Sequence, residues 1–313
     1  MSSAGPAKAG HYGAGRGPAK AGHSGAGPGP AKAGHSGAGP GPAKAGHYGA
    51  VLRHTFRVQR TKLALVSLAL AIWGFVPPII YKQYGSQFAG LVDSGLLPKE
   101  FARFGGGDVF SLPGSIALEL IHPIAIILTS VFAVGFSAAA IAGERQRGTL
   151  ELALARPISR RQFYLTLLAA SFAFVAIAVA ALLAGGISGA TFAGVVKELA
   201  FRNLPLLWLN SVLLFGTFAA IGLAASASFD RLTPAVGTTL GIVIVSYVLE
   251  VLGSLWPAAE WLQPYSIFHY LKAKAILTGM AAPFDMAVLV SVILMAMAWA
   301  LVVFPRRDLA APS

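Results

Sequence analysis

Six long apolar runs, separated by shorter polar links, organise the chain beyond residue 62. They fall at about 63–81, 119–143, 162–186, 205–228, 234–254 and 284–305. Each has about the 20 residues that a helix needs to cross the hydrocarbon core of a bilayer. The pattern therefore predicts an all-α, polytopic membrane protein with six transmembrane helices, a domain spanning 63–308. Just before it, residues 51–62 mix Val51, Leu52, Phe56 and Val58 with Arg53, Arg57, Arg60 and Lys62. That mixture predicts an amphipathic helix on the cytoplasmic surface. Pro77 and Pro78 predict an end or a kink of the first span. Gly185-x-x-x-Gly189 and Gly237-x-x-x-Gly241 are small-residue pairs that let helices approach closely, and both read as packing positions.

Charge gives the runs a direction. Arg53, Arg57, Arg60 and Lys62 precede the first span. Arg145, Arg147, Arg156, Arg160 and Arg161 fill the link between the second and third, Arg231 follows the fourth, and Arg306 and Arg307 follow the sixth. The opposite loops hold fewer cations, among them Lys82, Lys99, Lys197 and Lys272, mixed with Asp93, Glu100, Asp108, Glu198 and Glu260. Basic residues concentrate on the cytoplasmic side, so both termini are expected there, in the cytoplasmic membrane. Trp208, Trp256, Trp261 and Tyr265 fit an aromatic belt at the membrane boundary.

Composition narrows the classes further. Only 12% of residues are charged and the mean hydropathy is +0.68, whereas soluble domains carry about a quarter charged residues. With no cysteine, disulfides, thiolate nucleophiles and Cys-ligated metals are excluded. The net charge of +12 sits at membrane edges and in the first 50 residues, so no nucleic-acid partner is expected. Those first residues repeat a 12-residue phrase, GPAKAGHxGAGx, from Gly5, Gly17, Gly29 and Gly41. Gly and Pro throughout so short a period cannot bury an apolar face, which predicts a disordered tail over 1–50 drawn mildly to anionic lipid. Its spaced histidines, His11, His23, His35 and His47, are too loosely tethered to predict a metal site. Residues 309–313 form a short tail at the other end.

The most informative link is 142–163, AGERQRGTLELALARPISRRQF. After Glu144, Arg145 and Arg147, Gly148-Thr149 predicts a break and an N-cap. Leu150, Glu151, Leu152 and Leu154 then predict a short helix that Pro157 stops. Ser159 with Gln162 predicts a capping box that opens the third span. A rigid knob with three leucines and a charged rim suits a groove on a partner. The wording E-R-x-x-G-T-L-E-x-x-L-x-x-P-I-S-R, Glu144 to Arg160, resembles the signature of ABC-2 type exporter permeases. Pro264-Tyr-Ser-Ile-Phe-His-Tyr270 is similar to that family's outer-loop segment, with Tyr265-Ser266-Ile267 inserted before Phe268, His269 and Tyr270. Phe304-Pro-Arg-Arg-Asp308 is similar to its closing F-x-x-R-D.

The resemblance covers 51–308 and implies the ABC-2 (type V) exporter permease fold, with 144–160 as a coupling helix seated on an ATPase. It also implies short helices in the outer loop 255–283 and a second permease half, identical or paired. No G-x-x-x-x-G-K-[ST] phosphate loop occurs in this sequence. ATP and Mg are thus expected on a separate ABC ATPase subunit, with no cofactor, metal or catalytic residue on this chain. The rival classes are an intramembrane enzyme, a secondary carrier or a membrane scaffold. Glu119-x-x-His122 offers a carboxylate and an imidazole at helical spacing, but no second such pair follows to complete a di-metal site. Gly135-Phe-Ser137 and Gly186-Ile-Ser188 lack the final glycine of a serine nucleophile elbow. Glu250 is an acid inside an apolar run, which makes it a candidate for the substrate path or for a paired boundary residue.

Overall fold

A computed structural model describes residues 42–96, 110–154 and 159–307. The repeat tail through residue 41, the glycine run 105–107, Pro157 and residues 308–313 lie outside the described residues. The main helices are α1 (Pro42–Asp93), α2 (Leu112–Ile121), α3 (Pro123–Gln146), α4 (Leu150–Leu154) and α5 (Arg160–Phe192). They continue as α6 (Leu204–Ser228), α7 (Leu232–Leu255), α8 (Ala273–Leu277) and α9 (Pro283–Arg306). Six of them, α1, α3, α5, α6, α7 and α9, are long and apolar enough to cross a membrane. Helices satisfy every backbone N–H and C=O inside the segment, as a bilayer requires.

At the centre stands α6. Its most apolar window is 72% buried, against 28% for α7 and 22% for α9, which face outward. Phe215, Phe218 and Leu214 of α6 join Phe132 of α3 and Phe174 of α5 in one buried cluster. Beside it, α1 and α5 pack closely along much of their length. A Cβ on Gly185 would overlap the carbonyl oxygen of Ala71, one on Gly189 that of Phe75, and one on Gly74 that of Leu182. Only hydrogen leaves room for these backbones to meet.

The second glycine pair behaves differently. A Cβ on Gly237 or Gly241 would meet nothing within 4 Å, so this pair makes no packing contact among the described residues. It lies on α7, whose Leu240, Ile244, Val245 and Val248 are exposed.

Two further expectations change. Residues 51–62 form no separate surface helix. They are interior turns of α1, whose 52 residues run unbroken through Pro77 and Pro78. Glu119 does not open the second span. It lies in the last turn of α2, and the chain breaks at His122, whose extended backbone and Nδ1, accepting from the Ile124 N–H at 3.3 Å, cap α3 ahead of Pro123. Glu119 and His122 therefore sit on either side of a helix break. The Glu119 carboxyl is fully buried against Gly186, and neither oxygen has a hydrogen-bond partner.

Midway along α3 the helix widens into a π turn, Val131–Phe136, a feature that frequently marks functional sites. Below it, the Ser226 hydroxyl oxygen of α6 accepts the backbone N–H groups of Ile141 and Ala142 at 3.0 and 2.8 Å. The C-terminal half of α3 is thereby pinned to the central helix.

Candidate functional site

The link after α3 is built from its own polar residues. Gly148 adopts φ +69°, a left-handed conformation natural to glycine after a helix end. The Gly148 N–H then bonds to the Arg145 carbonyl and the Thr149 N–H to that of Glu144. The Thr149 hydroxyl donates to the Glu144 carboxylate, which also takes the Arg147 guanidinium. Thr149 thus closes α3 instead of capping α4. The Ser159–Gln162 capping box forms in both directions and opens α5.

Within α4 the three leucines separate. Leu150 is 1% exposed and packs with Ile141, Phe163 and Tyr164, and Leu154 is half-buried against the same cluster. Leu152 is 74% exposed, beside an exposed Glu151. A single helical turn cannot place positions 150, 152 and 154 on one face. The surface offered outward is therefore Glu151 and Leu152, with Leu150 as the root.

Under this knob lies a collar of arginines around one acid. Arg145 is buried and donates from Nη1 to Asp230 Oδ1 at 2.9 Å, while Arg307 donates to both Asp230 oxygens at 2.9 and 3.0 Å. Arg160 donates to the carbonyls of Pro305 and Arg307 at 3.1 and 2.7 Å. The Gln146 side chain accepts the Leu232 N–H. The C-terminal ends of α3 and α9 and the N-terminal ends of α5 and α7 are joined here. Arg145, expected on the rim, is an anchor, and so is Arg160.

At the opposite end, the segment between α7 and α9 folds into 3-10 turns, Pro257–Tyr265 and Phe268–Tyr270, followed by α8. Pro264, Phe268, His269 and Tyr270 organise it. Phe268 is buried against Phe218 and Tyr247, the Tyr270 hydroxyl donates to the Pro264 carbonyl, and Asn210 of α6 donates to the Tyr270 carbonyl. Glu250, 9% exposed, lies 3.5 Å from the Gln263 amide and 3.9 Å from His269 Nδ1. The Lys272 ammonium is 3.2 Å from His269 Nε2 and 3.5 Å from its Nδ1. Burial, reinforced by the Lys272 charge, pushes the His269 pKa down to about 4, and burial also lowers that of Lys272.

A pH dependence follows. Between about pH 6.5 and 4 the unfolded chain takes up a proton at residue 269 that the folded protein refuses, so stability falls on acidification through that window. The expected contribution is up to about 3 kcal/mol. Thermal unfolding of detergent-purified protein at pH 7 and pH 4.5 checks it, because His269→Gln should lose less stability on acidification than the wild type.

These features, six apolar helices, an exposed knob on a locked collar and a folded cap at the opposite end, meet a direct comparison. A family profile described as ABC-2 family transporter protein matches residues 50–309. The chain belongs to the ABC-2 transporter family. Among curated proteins no sequence matches it. As an ABC-2 permease it is a transmembrane subunit and not itself the ATPase. Asp230 and Ser226, which bind the helix ends beside the knob together, were missed in the sequence. The one available signal was an acid, Asp230, beside Arg231 in the short turn between two apolar spans. The permease also has an open face: α3 and α7 enclose a groove of about 530 Å³ lined by Ile127, Val131, Gly135, Leu240, Ile244 and Tyr247.

Proposed function

We propose that this chain is the membrane half of an ATP-driven exporter of the cytoplasmic membrane, with both termini in the cytoplasm. A separate ABC ATPase carries ATP and Mg and docks on Glu151 and Leu152. A second permease half, identical or paired, faces the α3–α7 groove and the unoccupied Gly237–Gly241 stripe. The observation that carries this reading is the exposure of Leu152 on a helix whose root is locked on three sides. Leu150 is buried, Thr149 and Arg147 grip Glu144, and Arg145 is tied through Asp230 to Arg307. A push on α4 therefore reaches α3, α5 and α9 together. Cargo would follow the apolar α3–α7 face, and Glu250 is assigned to holding the outer cap.

Leu152→Asp and Glu151→Arg test the docking. Both side chains are exposed, so thermal stability should stay within about 0.5 kcal/mol of the wild type. Co-purification of the ATPase and ATP-dependent transport should each fall at least about tenfold, as expected for loss of a central contact. Undiminished co-purification and transport in both variants would remove the coupling assignment. Transport driven by an ion gradient without ATP would favour the carrier class instead.

A further inference from the structure

Among the described residues only Glu119 is an acid with no exposed surface. Its carboxyl lies over the bare backbone of α5, where a Cβ on Gly186 would come within 2.6 and 2.8 Å of the two oxygens. Neither oxygen has a hydrogen-bond partner. The elements packed against α2 supply no compensating charge. α5 presents Gly186 and α1 presents Trp73, neither of them titratable. His122, at the junction with α3, turns its ring to Trp73 at 4.3 Å. Lys274, the titratable residue of α8, adds nothing to the carboxyl, whose pKa burial alone holds well above the ordinary carboxylate value.

A buried carboxylate without a partner is prohibitive, so the group is a neutral acid while α2 stays packed. In water the same group gives up its proton near pH 4.3, as an ordinary glutamate does at about that value. Packing α2 at neutral pH therefore takes up one proton. The surroundings show what can open. With ten residues, α2 is too short to span a bilayer, and it joins α3 through the extended backbone of His122 ahead of Pro123. The Trp73 indole N–H donates to the Glu119 carbonyl at 3.0 Å and holds the last turn to α1. One turn before Glu119, Ser115 lines a cavity of about 430 Å³ with Leu118, His122, Trp73 and Tyr81. The Tyr81 hydroxyl donates to Glu198 at an exposed site, so the cavity leads to water. Along α5, Gly186 stands about 39 Å from Arg160 at 1.5 Å per residue, farther than the roughly 30 Å of a hydrocarbon core. The carboxyl thus sits at the membrane boundary opposite the collar.

We propose that Glu119 is a proton-binding site and that α2 is a latch under its control. With the proton bound, α2 closes on α1 and α5. When α2 swings out at His122 and Pro123, the carboxyl O–H bond breaks, the proton passes to water in the cavity, and the carboxylate is solvated there. Glu119→Gln or Glu119→Met fills the same space and closes without a proton. The proton site stands apart from the permease reading. Its use in transport rests on that reading: the end of the bundle opposite the ATPase unseals with the loss of one proton to that side.

The test exploits a chain without cysteine. Ala117→Cys on α2 and Ala219→Cys at the centre of α6 each place one thiol at a buried position. The purified full chain in neutral detergent is labelled with a maleimide, and the rate is followed from about pH 5.5 to about pH 7.5. Dividing each rate by that of the same thiol in a Glu119→Gln background cancels the ionisation of the thiol itself. For Ala117→Cys the ratio should rise about tenfold per pH unit, the linkage expected when opening releases one proton. Glu119→Met should serve as the reference with the same result. A ratio independent of pH overturns the proposal, because α2 then moves without losing a proton. Labelling no faster at Ala117→Cys than at Ala219→Cys overturns it too, because α2 then does not open ahead of the whole bundle. A steep ratio in a chain that shows no ATP-dependent transport would sink the permease reading and leave the proton site standing.

Discussion

Replacing Asp230 with alanine is expected to destabilise the folded permease by about 1–3 kcal/mol, less than for a fully buried pair that loses one partner because Asp230 is half-exposed to water. The cause is the charge left behind. The Arg145 side chain has no exposed surface and bonds through Nη1 to Asp230, while its Nε and Nη2 have no partner. Without Asp230, the Arg145 and Arg307 guanidiniums share one pocket with no anion between them. Arg145→Met should cost less, since an apolar chain can fill the buried space and Asp230 is half-exposed to water. The double variant Arg145→Met with Asp230→Ala should be more stable than Asp230→Ala alone. Thermal unfolding of the detergent-purified variants decides this. An Asp230→Ala protein as stable as the wild type would show that the collar is not held by this pair.

The two glycine motifs give the second large effect and a contrast within one protein. Gly185→Ala places a methyl group on the Ala71 carbonyl. The α1 and α5 backbones must then separate, at about 1–3 kcal/mol for an overpacked contact. Gly185→Leu should prevent accumulation of folded protein. Gly237→Ala and Gly241→Ala meet open space and should leave the stability of one chain within about 0.5 kcal/mol. Size-exclusion profiles and melting curves of the four variants separate the cases. A folded, monodisperse Gly185→Leu protein would contradict the close approach described above.

That contrast shows where sequence reasoning stops. Both motifs are spelled alike, and spacing cannot say which one meets another helix within the chain. The link 142–163 was read more successfully. The Ser159–Gln162 box and the break at Gly148 are set by residues within a few positions of each other. The separation of Leu150 from Leu152 needed the helix to exist, because alternate positions share a face on a strand and not on a helix. Glu119 was misplaced because apolar residues run unbroken through the α2–α3 junction, and only His122-Pro123 marks the break.

By itself, the sequence determined the six apolar spans, the short α4, the break at Gly148 and the Ser159–Gln162 box. All of these are local properties, set by hydropathy, charge and hydrogen bonds between near neighbours. Only the tertiary structure decided which faces those spans turn inward. Lipid tails and a protein interior are about equally apolar, so a span carries little amphipathic record of its buried side. The same lack of a signal hid Asp230, whose role depends on Arg145 and Arg307 arriving from distant helices.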